Sequence, residues 1–189
     1  MNAENVTAYV GIGSNLGDRA GNLLLAVRGL LEASISLKRL SAIYETEPVG
    51  VDASQTPFLN MVAEVEVHNI TPEQMLARML RIEYLLGRRR QSANAARTVD
   101  LDLLIFGKIV HNKDFLTVPH QKLHLRRFVL VPLNELSPNL LHPVLNKTIR
   151  DLLNETSDDS SVSRWNPMDA DNRFETSTHF TIAKEPAKI

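Results

Sequence analysis

Asp100 and Asp102 stand two residues apart in RTVDLDLLIFG, the most strand-like run of the chain, with Arg97 at its entrance. In a strand, alternate side chains share a face, so Asp100, Asp102, Leu104 and Phe106 are expected on one side and Val99, Leu101, Leu103 and Ile105 on the other. Two carboxylates about 5 Å apart repel by roughly 3 kcal/mol at an effective dielectric of 20. Something must offset that. A solvated edge strand could do so. A bridging cation could do so as well, and a site of carboxylate oxygens without His or Cys selects magnesium or calcium over zinc. Arg97 could bind a phosphate oxygen in bidentate fashion or pair with an aspartate.

Positive charge is local rather than global. The chain carries 21 Lys and Arg against 22 Asp and Glu, a formal net charge of −1. It has no overall field for holding a long nucleic acid. Arg88, Arg89, Arg90 and Arg97 gather before the aspartates, and Lys122, His124, Arg126 and Arg127 after them. Two short basic clusters around an acidic pair suit a small polyanion that arrives with its metal ions. His120 in TVPH and Arg126 in LRRF fall on the loop that follows. Asn60 follows Phe58 at the start of another strand, a pairing that offers a stacking face and a donor with an acceptor to a flat heterocycle, or a strand-end asparagine that satisfies backbone groups. Glu83 interrupts the apolar stripe of a helix, facing either solvent or a ligand. The glycines of GIGSNLG match neither the dinucleotide fingerprint nor the phosphate loop, so turn geometry is their expected role.

These residues need elements to position them. Alternation predicts strands over Thr7–Ile12, Ser34–Glu45 and Phe58–His68, and the helical period of Leu23, Val27, Leu30 and Leu31 predicts a helix over Ala20–Leu31. Thr71, Pro72 and Gln74 form a capping-box start to a second helix along Met75, Met79, Ile82 and Leu86, and Gly87 stops it. Glu47 to Pro57 reads as a long loop. The order strand, helix, strand, strand, helix, strand is the α+β, ferredoxin-like βαββαβ arrangement, an antiparallel sheet backed by helices, with extra C-terminal elements. These are a short strand at Ile109–His111, an extended LTVPH, and helices over Arg126–Glu135 and Thr148–Leu153. Residues 1–155 are expected to form one domain. The polar stretch SDDSSVSRWNPMDADN opens a tail, 156–189, expected to be mobile, with FETSTHFTIA able to form a strand. A cysteine-free chain with no basic, apolar leader and no span-length apolar run is expected in the cytoplasm, without disulfides.

The motifs AYVGIGSNLGDR, YETEPVG, PFLNMV, RIEYLLGR, ARTVDLDLLIFG, LTVPH, RRFVLVPL and ELSPNLLHP, taken in order over about residues 7–155, resemble the 6-hydroxymethyl-7,8-dihydropterin pyrophosphokinases of folate biosynthesis. The resemblance implies a ferredoxin-like core and transfer of pyrophosphate from ATP to the pterin hydroxymethyl group, with release of AMP. By position, Asp100 and Asp102 would bind two magnesium ions among the triphosphate oxygens. Arg97, Thr117, His120 and Arg126 would contact the nucleotide or its phosphates, Glu83 would lie near the adenosine, and Arg88 would assist transfer. Asn60 would read the polar edge of the pterin, Phe58 and Phe128 would sandwich it, and the backbone of Thr46, Glu47 and Val49 would add hydrogen bonds. Partners would be ATP and the pterin, with no nucleic acid and no membrane, for a monomeric enzyme. Phe58 stands where many relatives carry Tyr, SANAA replaces a basic, often Gly-Pro segment with its familiar tryptophan, and Gln121 replaces a frequent tyrosine. A ferredoxin-like RNA-binding module lacks its glycine-rich aromatic signature here.

Overall fold

The computed structural model describes residues 5–47, 56–88 and 96–167. Its sheet is built on β1 (Asn5–Ser14) and β4 (Phe58–His68), antiparallel over their full length from Asn5↔His68 to Ser14↔Leu59. On the far side of β1 lies β5 (Asp100–Phe106); on the far side of β4 lie both β2 (Ser36–Leu40) and β3 (Tyr44–Thr46). Helices α1 (Arg19–Glu32) and α2 (Pro72–Leu85) supply the two crossovers of the ferredoxin-like arrangement.

The strand expected over Ser34–Glu45 is two strands. Ser41 lies between them, buried, its Oγ accepting the Val62 N–H and donating to the Ala42 carbonyl. A side chain that replaces ladder bonds with its own ends one strand and lets the next restart. The α2 capping box is as the sequence predicts, with Thr71 Oγ1 accepting the Gln74 N–H and the Gln74 side chain accepting the Thr71 N–H.

Apolar positions of alternate parity feed two cores. Ala8, Val10 and Ile12 of β1, Met61, Ala63 and Val65 of β4 and Leu101 and Leu103 of β5 pack with Leu23, Leu30, Met75 and Met79 of the helices. Tyr9, Val62 and Leu104 pack on the opposite face with Val129, Leu130 and Leu133 of α3 (Arg127–Leu136) and Ile149 and Leu152 of α4 (Ile149–Glu155). The simple alternation expected along β5 fails after Leu104. Val10 pairs with Leu103 but Tyr9 with Ile105, a bulge that spends one extra residue, so Ile105 joins the α3 face and Phe106 the α1/α2 face. Asp100 and Asp102, ahead of the bulge, keep their expected common face.

Beyond β5, β6 (His111–Lys113) and β7 (Leu116–Val118) form a two-stranded hairpin where one strand over Ile109–His111 is expected, and Val118–Pro119 is a cis peptide. Residues 156–167, placed in the polar tail by composition, continue into the fold. Val162–Arg164 forms β8 on the outer edge of β3, and Trp165 packs against the larger core. Backbone pairing with β3 compensates for the poverty in aliphatic residues. Segment FETSTHFTIA lies outside the described residues. Among the described residues no helix is long and apolar enough to cross a membrane.

Candidate active site

On the α3 face of the sheet, β1 contributes Gly11 and Gly13, which pair with Asp102 and Asp100 on one side and with Val62 and Asn60 on the other. At Gly13 a side chain is therefore missing where Asn60 needs room. A Cβ at Gly13 would stand 2.8 Å from Asn60 Oδ1, too close for any carbon. These glycines open the floor of a cavity of about 1070 Å³, more than a single small ligand usually fills.

One end of the cavity is charged. Asp100 accepts from Arg88 Nη1 and Arg97 Nη1, each at 2.5 Å. Asp102 faces Arg126, 3.7 Å from Nη1. Its side chain is 37% exposed, yet it sits within the concavity. Desolvation, with the Asp100 charge behind it, pushes its carboxyl above the usual range; His120, Arg126 and Arg88 oppose that push. His120 comes from the turn after β7. Its N–H donates to the Leu104 carbonyl at 2.8 Å, at the β5 bulge, and its Nδ1 accepts the Lys122 N–H at 3.2 Å. Burial holds this imidazole below its ordinary pKa, Asp102 pulling it back up and Arg126 pushing it further down.

Glu83 is buried in α2 rather than facing solvent. Its Oε1 accepts the Leu101 N–H at 2.8 Å and pairs with Arg88, fastening helix to strand and an arginine to both. Asn15, equally buried, clamps the Arg97 backbone: its Oδ1 accepts the Arg97 N–H at 2.8 Å while its own N–H donates to the Arg97 carbonyl at 3.2 Å. The GIGSNLG turn thus does more than reverse the chain.

The other end is neutral. Asn60 is buried and donates from Nδ2 to Thr46 Oγ1 at 2.8 Å across the β3–β4 pair. Phe58 and Phe128 line this end, each with a guanidinium beside its ring, Arg97 Cζ at 6.0 Å and Arg126 Cζ at 5.6 Å from the respective centroids. Arg19 of α1 donates to Glu45 Oε1 at 2.9 Å and to the Pro57 carbonyl at 2.6 Å, joining the strand ends on either side of residues 48–55.

Every site residue named from sequence that is described lines this one cavity, including Glu47 and Thr117; Val49 lies outside the described residues, as do Arg89, Arg90 and most of SANAA. Leu76, Leu80, Phe115 and Leu116 add an apolar wall, and Ser157 and Asp158 a polar one, none of them singled out by residue type and spacing. Asn15 and Arg19 lay in plain view within GSNLGDR, although nothing local shows what they hold.

The model of the 7,8-dihydro-6-hydroxymethylpterin-pyrophosphokinase family matches residues 9–138. The chain belongs to this family. Among its relatives, the 2-amino-4-hydroxy-6-hydroxymethyldihydropteridine pyrophosphokinase of Bacillus subtilis is 41% identical over 133 residues, 70% of this chain and 78% of the relative. The enzyme of that name from Aquifex aeolicus is 32% identical over 151 residues, 80% and 92% respectively. A solved structure, the Plasmodium falciparum HPPK-DHPS wild type with pteroate, superposes with a TM-score of 0.64 at 19% identity over 82% of this chain. At that identity it shows the pyrophosphokinase fold alone, and the chain spans 43% of that longer protein.

Proposed function

We propose that the chain transfers pyrophosphate from ATP to the hydroxymethyl group of 6-hydroxymethyl-7,8-dihydropterin, a step of folate biosynthesis, with magnesium bound by Asp100 and Asp102. The observation that carries this reading is the division of one cavity into a carboxylate–arginine end and a neutral end lined by Asn60, Phe58 and Phe128. Family membership supplies the reaction class.

The donor set fits magnesium. Among the described residues no cluster of three or more His, Cys, Asp or Glu side chains could cage an ion. Two carboxylates are what magnesium takes from a protein when phosphates and water complete its octahedron. Two such ions would neutralise the triphosphate and orient its β-phosphorus.

The rest is done by the chain itself. Arg88, Arg97 and Arg126 present guanidiniums to the phosphates, and binding ATP would exchange their carboxylate partners for phosphoryl oxygens of similar geometry. His120 and Thr117 border the nucleotide, with Glu83 setting Arg88 and the α2 wall. At the other end Phe58 and Phe128 stack on the pterin, Asn60 meets its polar edge, and the backbone of Thr46, Glu47 and Val49 adds hydrogen bonds. The hydroxymethyl oxygen then attacks the β-phosphorus, the bond to the α-phosphate oxygen breaks, and AMP leaves with that oxygen while the hydroxyl proton is released. Held in line, two bound substrates react as one molecule, which lowers the barrier by several kcal/mol of about 7–11 attainable. The reading carries with it a monomer in the cytoplasm.

AMP release by the full chain with ATP, the pterin and magnesium tests it, run beside EDTA and pterin-free controls. AMP that appears only with pterin and metal supports the reading. No AMP under complete conditions refutes it.

A further inference from the structure

Residues 156–167 lie beyond the stretch matched by the family model, yet Ser157 and Asp158 form part of the cavity wall shared with Arg126 and Phe128. Asp158 Oδ2 accepts the Arg127 N–H at 2.7 Å, and its Oδ1 accepts the Ser160 N–H at 3.0 Å. That Arg127 N–H belongs to the peptide joining Arg126 to Arg127. The carbonyl of the same peptide accepts the N–H groups of Val129 and Leu130 at 3.1 and 3.0 Å. One peptide plane is thus held from both ends.

Arg126 is the N-cap of α3 and makes no capping bond with its own side chain. A carboxylate brought from 31 residues away does what a capping aspartate does from within, satisfying an orphan donor and facing the positive end of the helix. The carboxylate is itself fixed by the chain around it. β8 pairs with β3 through Tyr44↔Arg164 and Thr46↔Val162, and the Trp165 N–H donates to the Ile43 carbonyl at 2.9 Å. The tail therefore grips the neutral end of the cavity from two sides, Thr46 through the sheet and Phe128 through the start of α3.

We propose that Asp158 is a positioning residue for the pterin, setting Phe128 through the first turn of α3; this rests on the pterin reading of the neutral end. Burial works against its charge, but the hydrogen bonds from Ser160 and the Arg127 N–H outweigh it and hold the carboxyl below its usual range. A shift of the first turn reaches the two cavity side chains unequally. Phe128 has two side-chain torsions and a rigid ring, so it moves with its backbone, whereas the long Arg126 side chain can readjust to keep its phosphate contact.

The test compares the full-length chain with Asp158→Ala and Asp158→Asn, by steady-state kinetics in both substrates and calorimetric binding of the pterin. Loss of the cap in Asp158→Ala should raise the pterin KM and Kd about tenfold, while the ATP KM moves less than about twofold. Asp158→Asn keeps an oxygen on the Arg127 N–H and should recover most of that loss. If Asp158→Ala unfolds, Arg127→Pro, which removes the same N–H at a first helical position that accepts proline, takes its place under the same expectations. Unchanged pterin KM and Kd in Asp158→Ala, equal losses for both substrates, or an asparagine variant no better than alanine would each overturn the proposal. An active wild type with an indifferent Asp158→Ala defeats this inference alone. A wild type that neither releases AMP nor binds the pterin defeats the pterin reading and this inference with it.

Discussion

The two ends of the cavity are held in place by different means. At the charged end side chains do most of the holding: Arg88, Asp100 and Arg97 form ion pairs that can change partner without the backbone moving, anchored by Glu83, which also holds the Leu101 N–H. At the neutral end the backbone does the holding. Asn60 and Phe58 stand on β4 at positions fixed by pairing with β1 and β3, and Phe128 rides on a helix start. An exchangeable network suits phosphates and their ions, which bring strong charges of their own. A rigid slot suits a flat neutral ring, whose recognition depends on stacking distance and hydrogen-bond direction.

Removing the hub of the charged end should have the largest effect. Asp100→Ala takes a proposed metal ligand away and deprives Arg88 and Arg97 of a common partner. We expect kcat to fall about a thousandfold or more while the pterin Kd changes less than about threefold, read by AMP release and calorimetry. Turnover near that of wild type would defeat the metal reading. A large loss of pterin affinity would show that the two ends are not separately built.

Glu83→Ala tests whether the network also holds up the fold. It strips a buried carboxylate from the Leu101 N–H and leaves Arg88 held by Asp100 on one side only. Breaking a buried pair from one side costs about 3 kcal/mol, so the urea midpoint should drop clearly. Glu83→Gln keeps an acceptor for Leu101 and should recover part of the stability. It should not recover the activity in full, because Arg88 keeps Asp100 but loses the second carboxylate that aims it.

At the neutral end, Phe58→Ala should raise the pterin KM about tenfold, since an aromatic stack contributes about 1 kcal/mol beyond the area it buries. The ATP KM should stay within about twofold. Equal shifts in both would mean that Phe58 acts mainly through the Arg97 guanidinium beside its ring.

The sequence discloses these two ends unequally, for physical reasons. Asp100 and Asp102 are legible because strand parity is local, and the order of elements follows from apolar periods that the cores confirm in Leu23, Leu30, Met75 and Met79. The bulge at Leu104 is not legible. A run such as LLIF is apolar at both parities, so nothing in it marks where the alternation slips. The break at Ser41 depends on a hydroxyl finding Val62 on another strand, and Asp158 on finding the Arg127 N–H. Both are partnerships between distant parts of the chain that composition cannot encode. Glu83 shows the same limit from within a helix: a carboxylate on an apolar stripe looks alike whether it meets solvent or a strand N–H.

Two histidines, His120 within the cavity and His142 outside it, differ with the smallest expected effect. His120 and His142 are both held below the ordinary imidazole pKa by burial, but His142 lies away from the cavity in the turn before α4, where Nδ1 accepts the N–H groups of Val144 and Leu145 at 3.3 and 3.2 Å. Desolvation is the main cause, the neighbouring His124 adds repulsion, and a backbone hydrogen bond partly opposes them. Because the folded chain prefers neutral His142, the unfolded chain binds the extra proton first as pH falls. The contribution is therefore whole above the unfolded value of about 6.5 and declines below it, until the folded imidazole titrates in turn. One proton sets a ceiling of about 1.4 kcal/mol per pH unit on that slope. In His142→Gln, urea unfolding followed from pH 7.5 to 5 should lose this part of the acid sensitivity, while the pterin KM at pH 7.5 keeps its value. A slope unchanged from wild type would place the acid-sensitive group elsewhere. A shifted pterin KM would mean that the turn behind α3 reaches the neutral slot, through the same helix start that Asp158 holds.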